Sequence, residues 1–326
     1  MKVLLTGASG FVGSHILDAL GERKLPVAIL LRPSSDRQFI QGHLPTVEIR
    51  SGSIADPESL ASALAGITHV IHCAGCTRAV HTSEFYRINQ IGTRNMVEAV
   101  NAHRQTVRRL IHVSSLAAAG PATADRPKRE EDPPQPVSEY GRSKLAAEEE
   151  VRARCRVDHV ILRPPAVYGP RDHGFLSMFK AVWHHLRPLP SGRQVLSLVY
   201  VKDLAEAICH CLDHPNAVGK TFFAAAREVV TGRAMAREIA AQVNHWTIPC
   251  PLPGFALWPL CLVQDVWARL TRRARLLNLA KYPELVAPGW VCDPTRLERE
   301  LGFSCSTPLR IGVGETLKWY QDHQWL

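Results

Sequence analysis

The stretch KVLLTGASGFVG, which spans Lys2 to Gly13, carries glycines in the pattern G-x-x-G-x-x-G. Its apolar half predicts a buried strand, and Gly7, Gly10 and Gly13 predict a tight turn that opens a helix. Glycines there let the backbone approach a pyrophosphate, which binds at the helix N-terminus. The spacing differs from the G-x-G-x-x-G of the better-known dehydrogenases, so an ordinary glycine-containing loop is the alternative for this motif alone.

Short apolar, β-branched runs alternate with helical patterns through the first half of the chain, which indicates a parallel βαβ sheet. The predicted strands are Lys2–Thr6, Val27–Leu31, Val47–Arg50, His69–His72, Arg109–Val113 and His159–Arg163. The helical patterns between them include Ser14–Leu20, Pro57–Leu64 and Gly92–Ala102. We therefore expect a doubly wound α/β fold of the Rossmann type.

After Pro170 the regular alternation lapses. Ser197–Val201 and Thr221–Ala224 still predict strands, with a helix at Asp203–Leu212 between them, and the chain beyond about residue 230 is mostly helical in pattern. The expected organisation is a dinucleotide-binding domain over residues 1–170, to which residues 197–225 return, and a smaller, mostly helical substrate-binding lobe over 171–326. The crevice between them is the expected active site.

The composition is that of an ordinary soluble globular protein. The chain has 326 residues, of which 46% are hydrophobic and 21% charged. Its net charge of +9 comes without a basic run interleaved with aromatic residues, so we expect an anionic cofactor rather than nucleic acid. Nine scattered cysteines favour reduced thiols and a cytoplasmic location. The first apolar stretch is too short for a signal peptide, and the run at 252–263 is too interrupted to span a bilayer.

Tyr140 and Lys144 form a Y-x-x-x-K pair on a predicted helix. Residues four apart share a helix face, so the ammonium can lie beside the phenol. A nearby cation lowers the pKa of a tyrosine from about 10, which makes the phenol a usable proton donor or acceptor near neutral pH. Many helices carry such a pair by chance, but its combination with the glycine-rich N-terminus favours a catalytic role.

Arg32 stands where the second predicted strand ends, about 20 residues beyond the last glycine, and this is where such folds meet the adenosine ribose. An acid there would hold a 2′-hydroxyl and repel a 2′-phosphate, whereas an arginine does the reverse. Ser34, Ser35 and Arg37 add further donors. The sequence therefore favours NADP(H) over NAD(H), with a solvated surface arginine as the alternative.

Taken together, these motifs resemble the extended short-chain dehydrogenase/reductase family, which includes sugar-nucleotide epimerases, 3β-hydroxysteroid dehydrogenases and dihydroflavonol reductases. The resemblance covers nearly the whole chain. The further matching landmarks, in chain order, are Ile71-His72-Cys73-Ala74-Gly75, Asn89-x-x-Gly92-Thr93-x-Asn95, Val113-Ser114-Ser115, Leu162-Arg163-Pro164-x-x-Val167-Tyr168-Gly169-Pro170, Tyr200-Val201-Lys202-Asp203-Leu204-Ala205 and Asp293–Phe303.

The resemblance implies a role for each matching residue. Tyr140 would be the catalytic acid/base, and Lys144 would bind the nicotinamide ribose and lower the pKa of Tyr140. Ser115 would hydrogen-bond the reacting oxygen, with Ser114 less favoured by its register. The implied cofactor contacts are Gly7, Ser9, Gly10, Phe11, Val12, Gly13, Arg32, Ser53, Ile54, Ala74, Gly75, Tyr140, Lys144, Pro164 and Val167. Ser53 departs from the family, which usually has an aspartate at that position.

Two further departures concern the substrate. Ala166 replaces the asparagine by which sugar-nucleotide members contact the substrate pyrophosphate, and Leu196 stands where those members place an arginine. Each lost charge-assisted hydrogen bond is worth about 1.5–3 kcal/mol. The implied function is hydride transfer between NADP(H) and a carbonyl or alcohol of a small, largely apolar substrate. The alternative is an NAD-dependent sugar-nucleotide epimerase or dehydratase; a regulator without turnover is disfavoured because Ser115, Tyr140 and Lys144 are all present.

Three other sequence features, a pair of cysteines, a pair of histidines and a basic apolar stretch, do not predict a metal site or a membrane anchor. Cys73 and Cys76 form a C-x-x-C with no second pair, and His184-His185 have no acid or cysteine at ligand spacing, so no metal is expected. The stretch Phe255–Lys281 joins an apolar run to Arg269, Arg272, Arg273 and Arg275, and a helix roofing the substrate pocket is favoured over membrane contact. The family resemblance also makes a homodimer one option.

Overall fold

The computed structural model of the chain describes residues 1–190, 194–252, 257–271 and 279–326. The strands in this part of the chain are β1 (Val3–Thr6), β2 (Val27–Leu31), β3 (Glu48–Ser51), β4 (His69–His72), β5 (Arg109–Val113), β6 (Asp158–Arg163), β7 (Ala166–Tyr168), β8 (Leu186–Pro190), β9 (Val195–Tyr200), β10 (Thr221–Phe223), β11 (Val229–Thr231), β12 (Ile248–Leu252) and β13 (Gly289–Trp290).

The α-helices are α1 (Phe11–Glu22), α2 (Pro57–Ala63), α3 (Thr82–Phe85), α4 (Gly92–Ala102), α5 (Leu116–Ala119), α6 (Glu139–Arg154), α7 (Leu176–Trp183), α8 (Val201–His210), α9 (Gly232–Val243), α10 (Leu257–Thr271), α11 (Tyr282–Val286), α12 (Thr295–Leu301) and α13 (Leu309–Asp322). Short 3-10 helices at Gln38–His43, Pro215–Ala217 and Leu279–Lys281 and a π-helix at Tyr86–Ile91 complete the helical elements described.

Seven of the strands form one parallel sheet in the order β10-β6-β5-β4-β1-β2-β3. The order reverses between β1 and β4, whose residues Thr6 and His72 are paired at their carboxyl ends. In open sheets of this kind the ligand crevice lies outside the strand ends at that switch point. The predicted Rossmann-like α/β class is therefore confirmed.

The sheet is buried on both faces, as the nearly continuous apolar runs of β1 and β2 require. One face carries Val3, Leu5 and Ile29, and α1 and α8 pack against it. The opposite face carries Leu4 and Val70, and α2 and α4 pack against that face. The packing holds the N-terminus of α1 against the carboxyl end of β1, where the glycine pattern predicts a phosphate site.

Residues after the middle of the chain complete this sheet. The strand β10 pairs in parallel with β6, and α8 shares an apolar cluster with α1. The helix α8 begins at Val201, two residues before the predicted Asp203, directly after β9. Val201, Leu204 and Ile208 are buried at helical spacing, so Val201 belongs to the apolar stripe of the helix rather than to the strand.

A second region is built on β9, which pairs with β7, β11 and β13. Its apolar cluster joins α7, α9 and α13 through Phe179, Ile239, Val313 and Tyr320. In the part of the chain that the structure describes, no helix combines the length and apolarity needed to cross a membrane. All nine cysteines are free thiols.

Candidate active site

The glycine-rich turn between β1 and α1 is packed too closely for side chains at two of its positions. A Cβ added at Gly7, whose φ is +75°, would lie 2.7 Å from Ala74 N, and one at Gly13 would lie 2.0 Å from the Gly7 oxygen. Gly10 caps α1 without a side chain, and the first turn holds no acidic residue. The N–H groups and dipole of that turn therefore suit an anion such as a pyrophosphate. The other predicted contacts here, Ser9, Phe11 and Val12, border the same turn.

A buried histidine joins the ends of β1 and β4. The Thr6 hydroxyl accepts a hydrogen bond from Ala74 N–H (3.1 Å) and lies 2.9 Å from His72 Nδ1. His72 Nε2 lies 3.1 Å from the Thr93 hydroxyl, which donates to the Asn89 carbonyl. Because that hydroxyl proton is committed, His72 Nε2 donates and Nδ1 accepts from Thr6. Burial lowers the pKa of His72 to about 3, so the imidazole is neutral at physiological pH. The hydrogen bonds to Thr6 and Thr93 therefore hold the ring in one tautomer.

Asn89 ties the segment after β4 to the helix that carries Tyr140. Its amide accepts from Cys76 N–H (2.7 Å) and donates to the Cys76 carbonyl (3.0 Å) and to the Ser143 hydroxyl (2.9 Å). Ser143 in turn donates to the Tyr140 carbonyl at 2.7 Å. The predicted contacts Ala74 and Gly75 are thereby held beside α6. The sequence motif contained Asn89, but its positioning role was not predicted.

Ser115, Tyr140 and Lys144 converge at the carboxyl end of β5. The Ser115 side chain lies close enough to the Tyr140 hydroxyl to favour its ionised form and so to oppose a rise in its pKa. The Ser115 oxygen accepts from Ala117 N–H at 3.1 Å, which leaves its hydroxyl proton available to an acceptor. Lys144 is buried, and its ammonium donates to the Val113 carbonyl at 2.7 Å. The helical spacing named Tyr140 and Lys144, and the family resemblance added Ser115; their catalytic roles stay predictions.

The pKa of Tyr140 moves in the direction opposite to the one expected from the Lys144 spacing. Burial raises the pKa of Tyr140 to about 12, the Ser115 hydrogen bond opposes that rise, and the Glu284 carboxylate adds to it. Burial also lowers the pKa of Lys144 to about 8, opposed by Cys73 and Glu148. A same-face spacing on a helix predicts proximity, but it cannot weigh a cation's attraction against the desolvation of the phenolate.

Ser114 is occupied by a different network. Its hydroxyl donates to Glu148 Oε1 at 2.5 Å, and Arg163 donates to both oxygens of that carboxylate at 2.9 and 2.7 Å. Arg152 adds a fourth bond at 2.8 Å. Glu148 and Arg163 are almost completely buried. Ser114 therefore serves this buried ion pair, and Ser115 is the serine that faces Tyr140.

Arg32 lies at the carboxyl end of β2, next to the glycine-rich turn, and is exposed. Among the residues that the structure describes, its guanidinium has no hydrogen-bond or ion-pair partner, so it is free to meet a ligand. Ser53 lies after β3, and its hydroxyl accepts from Ala55 N–H at 3.2 Å, so it shapes its own turn. The neighbouring Ile54 is held by Asn95, whose amide donates to its carbonyl at 2.9 Å.

Ala166 and Leu196, the two residues expected to face the substrate, lie on β7 and β9. Ala166 is exposed on β7, and Leu196 on β9 pairs with Trp290 of β13. Pro164 anchors the Ser115 turn, because its carbonyl accepts from Leu116 N–H at 2.8 Å. Val167 pairs with Val199 in the second sheet. The apolar side chains expected at positions 166 and 196 therefore stand on two paired strands of the second sheet.

Glu284 is a site residue that the sequence pattern did not indicate. It lies on α11, and its carboxylate accepts a hydrogen bond from the hydroxyl of Ser138, the N-cap of α6. Tyr140 lies two residues after Ser138 in the chain, and the negative charge of Glu284 raises its pKa. The contact joins positions 146 apart in the sequence, so no local motif could reveal it.

Replacing Glu284 with glutamine should shift the Tyr140-dependent limb of the pH–rate profile to lower pH, because the change removes a negative charge that disfavours the phenolate. Glu284→Asp, which keeps the charge, is the control, and Ser138→Ala, which removes the hydrogen bond to Glu284 together with the N-cap bond to Gly141 N–H, is a comparison. Profiles of kcat/KM against pH for the three variants check this. An unshifted profile for Glu284→Gln would show that the carboxylate does not act on Tyr140.

The remaining sequence features have other partners. His185 stacks on Trp246 at 4.1 Å between ring centroids and hydrogen-bonds the Trp246 carbonyl. Over the described ranges, no group of three or more potential ligands is arranged to hold a metal. Of the basic stretch, Arg272, Arg273 and Arg275 lie outside the described residues, as does Phe255.

Comparison with known proteins places this site in a family. The model of the NAD-dependent epimerase/dehydratase family matches residues 3–225. The chain is similar to sterol demethylase protein B of Methylococcus capsulatus, with 33% identity over 99% of each chain. It is 29% identical to ceramide reductase of Caulobacter vibrioides, over 99% of this chain and 96% of the relative. It is also 31% identical to UDP-glucose 4-epimerase of Vibrio cholerae, over 83% and 85%.

Solved structures agree on the fold. The crystal structure of gox2253 superposes with a TM-score of 0.82 at 26% identity, over 100% of this chain and 99% of that one. The dTDP-glucose 4,6-dehydratase of Bacillus anthracis in complex with NAD superposes with a TM-score of 0.80 at 19% identity, over 99% and 97%. The chain therefore belongs to the NAD-dependent epimerase/dehydratase family of extended short-chain dehydrogenases/reductases, and it is an enzyme.

Proposed function

We propose that the enzyme transfers hydride between NADP(H) and a carbonyl or alcohol of an apolar, lipid-like substrate. The observation that carries this proposal is the convergence of the Ser115 hydroxyl, the Tyr140 hydroxyl and the Lys144 ammonium at the carboxyl end of β5. The apolar residues Ala166 and Leu196 support a substrate without a pyrophosphate. Ceramide and sterols, which appear in the names of two relatives, are lipids of this kind.

In this mechanism Tyr140 is the proton donor. Since the pKa of Tyr140 is raised to about 12, its hydroxyl stays protonated at neutral pH and suits donation to a carbonyl oxygen during reduction. The Ser115 hydroxyl holds the same oxygen. When bound, the nicotinamide supplies or accepts the hydride. The turn at Gly7–Gly13 and the N–H groups of α1 would hold the pyrophosphate, and Lys144 would hold the ribose beside Tyr140.

Arg32 supports the choice of NADP(H). Its guanidinium can pair with a 2′-phosphate and has no comparable contact to make with a bare hydroxyl. At about 1.5–3 kcal/mol for a hydrogen bond to a charged group, the preference for NADP over NAD should be roughly 10- to 150-fold. The exposed position of Arg32, free of partners among the described residues, is consistent with this role.

We expect Arg32→Asp to weaken NADP(H) binding by about the same 10- to 150-fold and to raise the relative use of NAD(H), because the introduced carboxylate repels the 2′-phosphate. Titration of both cofactors against wild type and variant measures the change. Arg104→Asp is the matched control, since Arg104 is exposed before β5, at the opposite end of the strands. Equal affinity of the wild type for the two cofactors would refute the assignment.

A panel of ketones, aldehydes, sterols and nucleotide sugars, each offered with NADPH and NADH, tests the activity itself. Reduction of apolar carbonyls is the expected result. The second candidate is an NAD-dependent nucleotide-sugar epimerase or dehydratase, which the 31% identity to UDP-glucose 4-epimerase favours. Conversion of a nucleotide sugar without net consumption of cofactor would replace the first proposal with the second.

We propose that the cofactor and the substrate bind to different parts of the chain. Residues 1–170 bind the cofactor, and the segment from 197 to 225 belongs with them, which the pairing of β10 with β6 supports. The other residues from 171 to 326 hold the substrate, with Glu284 of α11 beside the N-cap of α6.

A further inference from the structure

The helix α10 exposes apolar side chains along one side. Leu260, Val263 and Trp267 are 42%, 64% and 54% exposed, and their spacing of three and four residues puts them on one face. Trp258, in the first turn, is 50% exposed. A helix roofing a substrate pocket would bury its apolar face. The expectation of a roof, favoured by the sequence pattern, therefore does not fit the exposed side of α10.

The sequence at and after the C-terminal end of α10 is rich in arginine. In the sequence, Arg269, Arg272, Arg273 and Arg275 follow the apolar face, and Asp265 is the single acidic residue of α10. A tryptophan-bearing apolar face followed by arginines is typical of helices that lie in the interface of anionic membranes. The net charge of +9 acts in the same direction.

The position of α10 connects this face to the active site. It packs on the turn Leu279–Lys281 and on α11. The helix α11 carries Glu284, which is hydrogen-bonded to Ser138 at the N-cap of the Tyr140 helix. A lipid surface bound at α10 would therefore lie beside the segment that borders the catalytic residues.

We propose that α10 docks the enzyme on an anionic lipid membrane through Leu260, Val263 and Trp267. The inference rests on the proposed function in one respect, since docking there serves an apolar substrate that partitions into lipid. Burial of the apolar face in the acyl boundary supplies the affinity, and the arginines add attraction to anionic headgroups.

The test is co-sedimentation of the full chain with vesicles of phosphatidylcholine alone or mixed with phosphatidylglycerol, without substrate. We expect binding to the anionic vesicles that weakens as salt is added. Val263→Glu/Trp267→Glu should lower that binding by about 10-fold or more, because two charges must then leave water. Ile49→Glu on the edge strand β3, where Ile49 is 42% exposed, is the matched control and should bind like wild type.

Several results would overturn the proposal. The first is a wild type that does not bind anionic vesicles, and the second is a double variant that binds them as well as wild type. The third is a wild-type dimer that becomes monomeric in the double variant, which would assign the exposed face of α10 to contact with a second copy of the chain. Should the double variant fail to fold, salt-sensitive binding of the wild type and a blue shift of tryptophan fluorescence lost in Trp267→Phe decide the question. Because the vesicle assay contains no substrate, vesicle binding can be absent while reductase activity is present, and vesicle binding can be present while reductase activity is absent.

Discussion

Replacing Tyr140 with phenylalanine should lower kcat/KM for carbonyl reduction by about 10²–10⁴-fold, since the change removes the proton donor and little else. The phenol ring packs near Phe85 at 6.0 Å between ring centroids, and phenylalanine keeps that contact. Cofactor affinity should stay close to wild type, because the glycine turn and Lys144 are untouched. Steady-state rates and a cofactor titration measure the two quantities separately.

Tyr86→Phe is the control for this experiment. The Tyr86 hydroxyl also makes a side-chain hydrogen bond, which it donates to Glu139 at 2.8 Å. Tyr86 is not one of the three predicted catalytic residues, which are Ser115, Tyr140 and Lys144. We expect its activity to stay near that of wild type. Full activity in Tyr140→Phe would remove Tyr140 from the reaction and leave the mechanism without its proton donor.

The second large effect is on stability. Glu148→Gln should lower the free energy of unfolding by about 3–5 kcal/mol, because it leaves the buried Arg163 guanidinium without its counter-charge. Arg163 is 3% exposed and Glu148 is fully buried. Urea unfolding at neutral pH measures the difference, read as a shift in midpoint at constant slope.

Glu48→Gln provides the matched comparison, because Glu48 also accepts hydrogen bonds from two basic side chains, those of Lys2 and Arg50. Its side chain is 47% exposed, so we expect a loss below about 1 kcal/mol. Equal losses in the two variants would show that burial does not set the value of the Glu148 network.

The central strands of the parallel sheet were predictable because they are buried on both faces. Val27–Leu31, His69–His72 and Arg109–Val113 have the bounds that their apolar runs indicate. The ribbon of β8 and β12 was not predictable, since each strand contains two prolines, which cannot donate to a ladder. In a ribbon of two strands each strand is an edge, so its prolines can face away from the partner.

The site was predictable as far as local spacing reaches. Tyr140 and Lys144 share a helix, and Ser115 is the N-cap of α5, two residues after β5 ends, so their order along the chain followed from the motifs. The contact of Glu284 with Ser138 and the raised pKa of Tyr140 depend on how distant segments pack and exclude water. Such quantities appear only when the chain is folded, because neither is encoded in the spacing of neighbouring residues.

The return of the chain to its first sheet at β10 limits how specificity can be exchanged between relatives. A recombinant joined at one crossover after residue 170 would receive β10 and α8 from the donor, although both pack on β6 and α1 of the recipient. Two crossovers that leave residues 201–225 with the recipient would preserve those interfaces. Grafting of a new substrate preference onto this enzyme is thus a double exchange, and libraries built on a single junction would mostly sample mismatched cores.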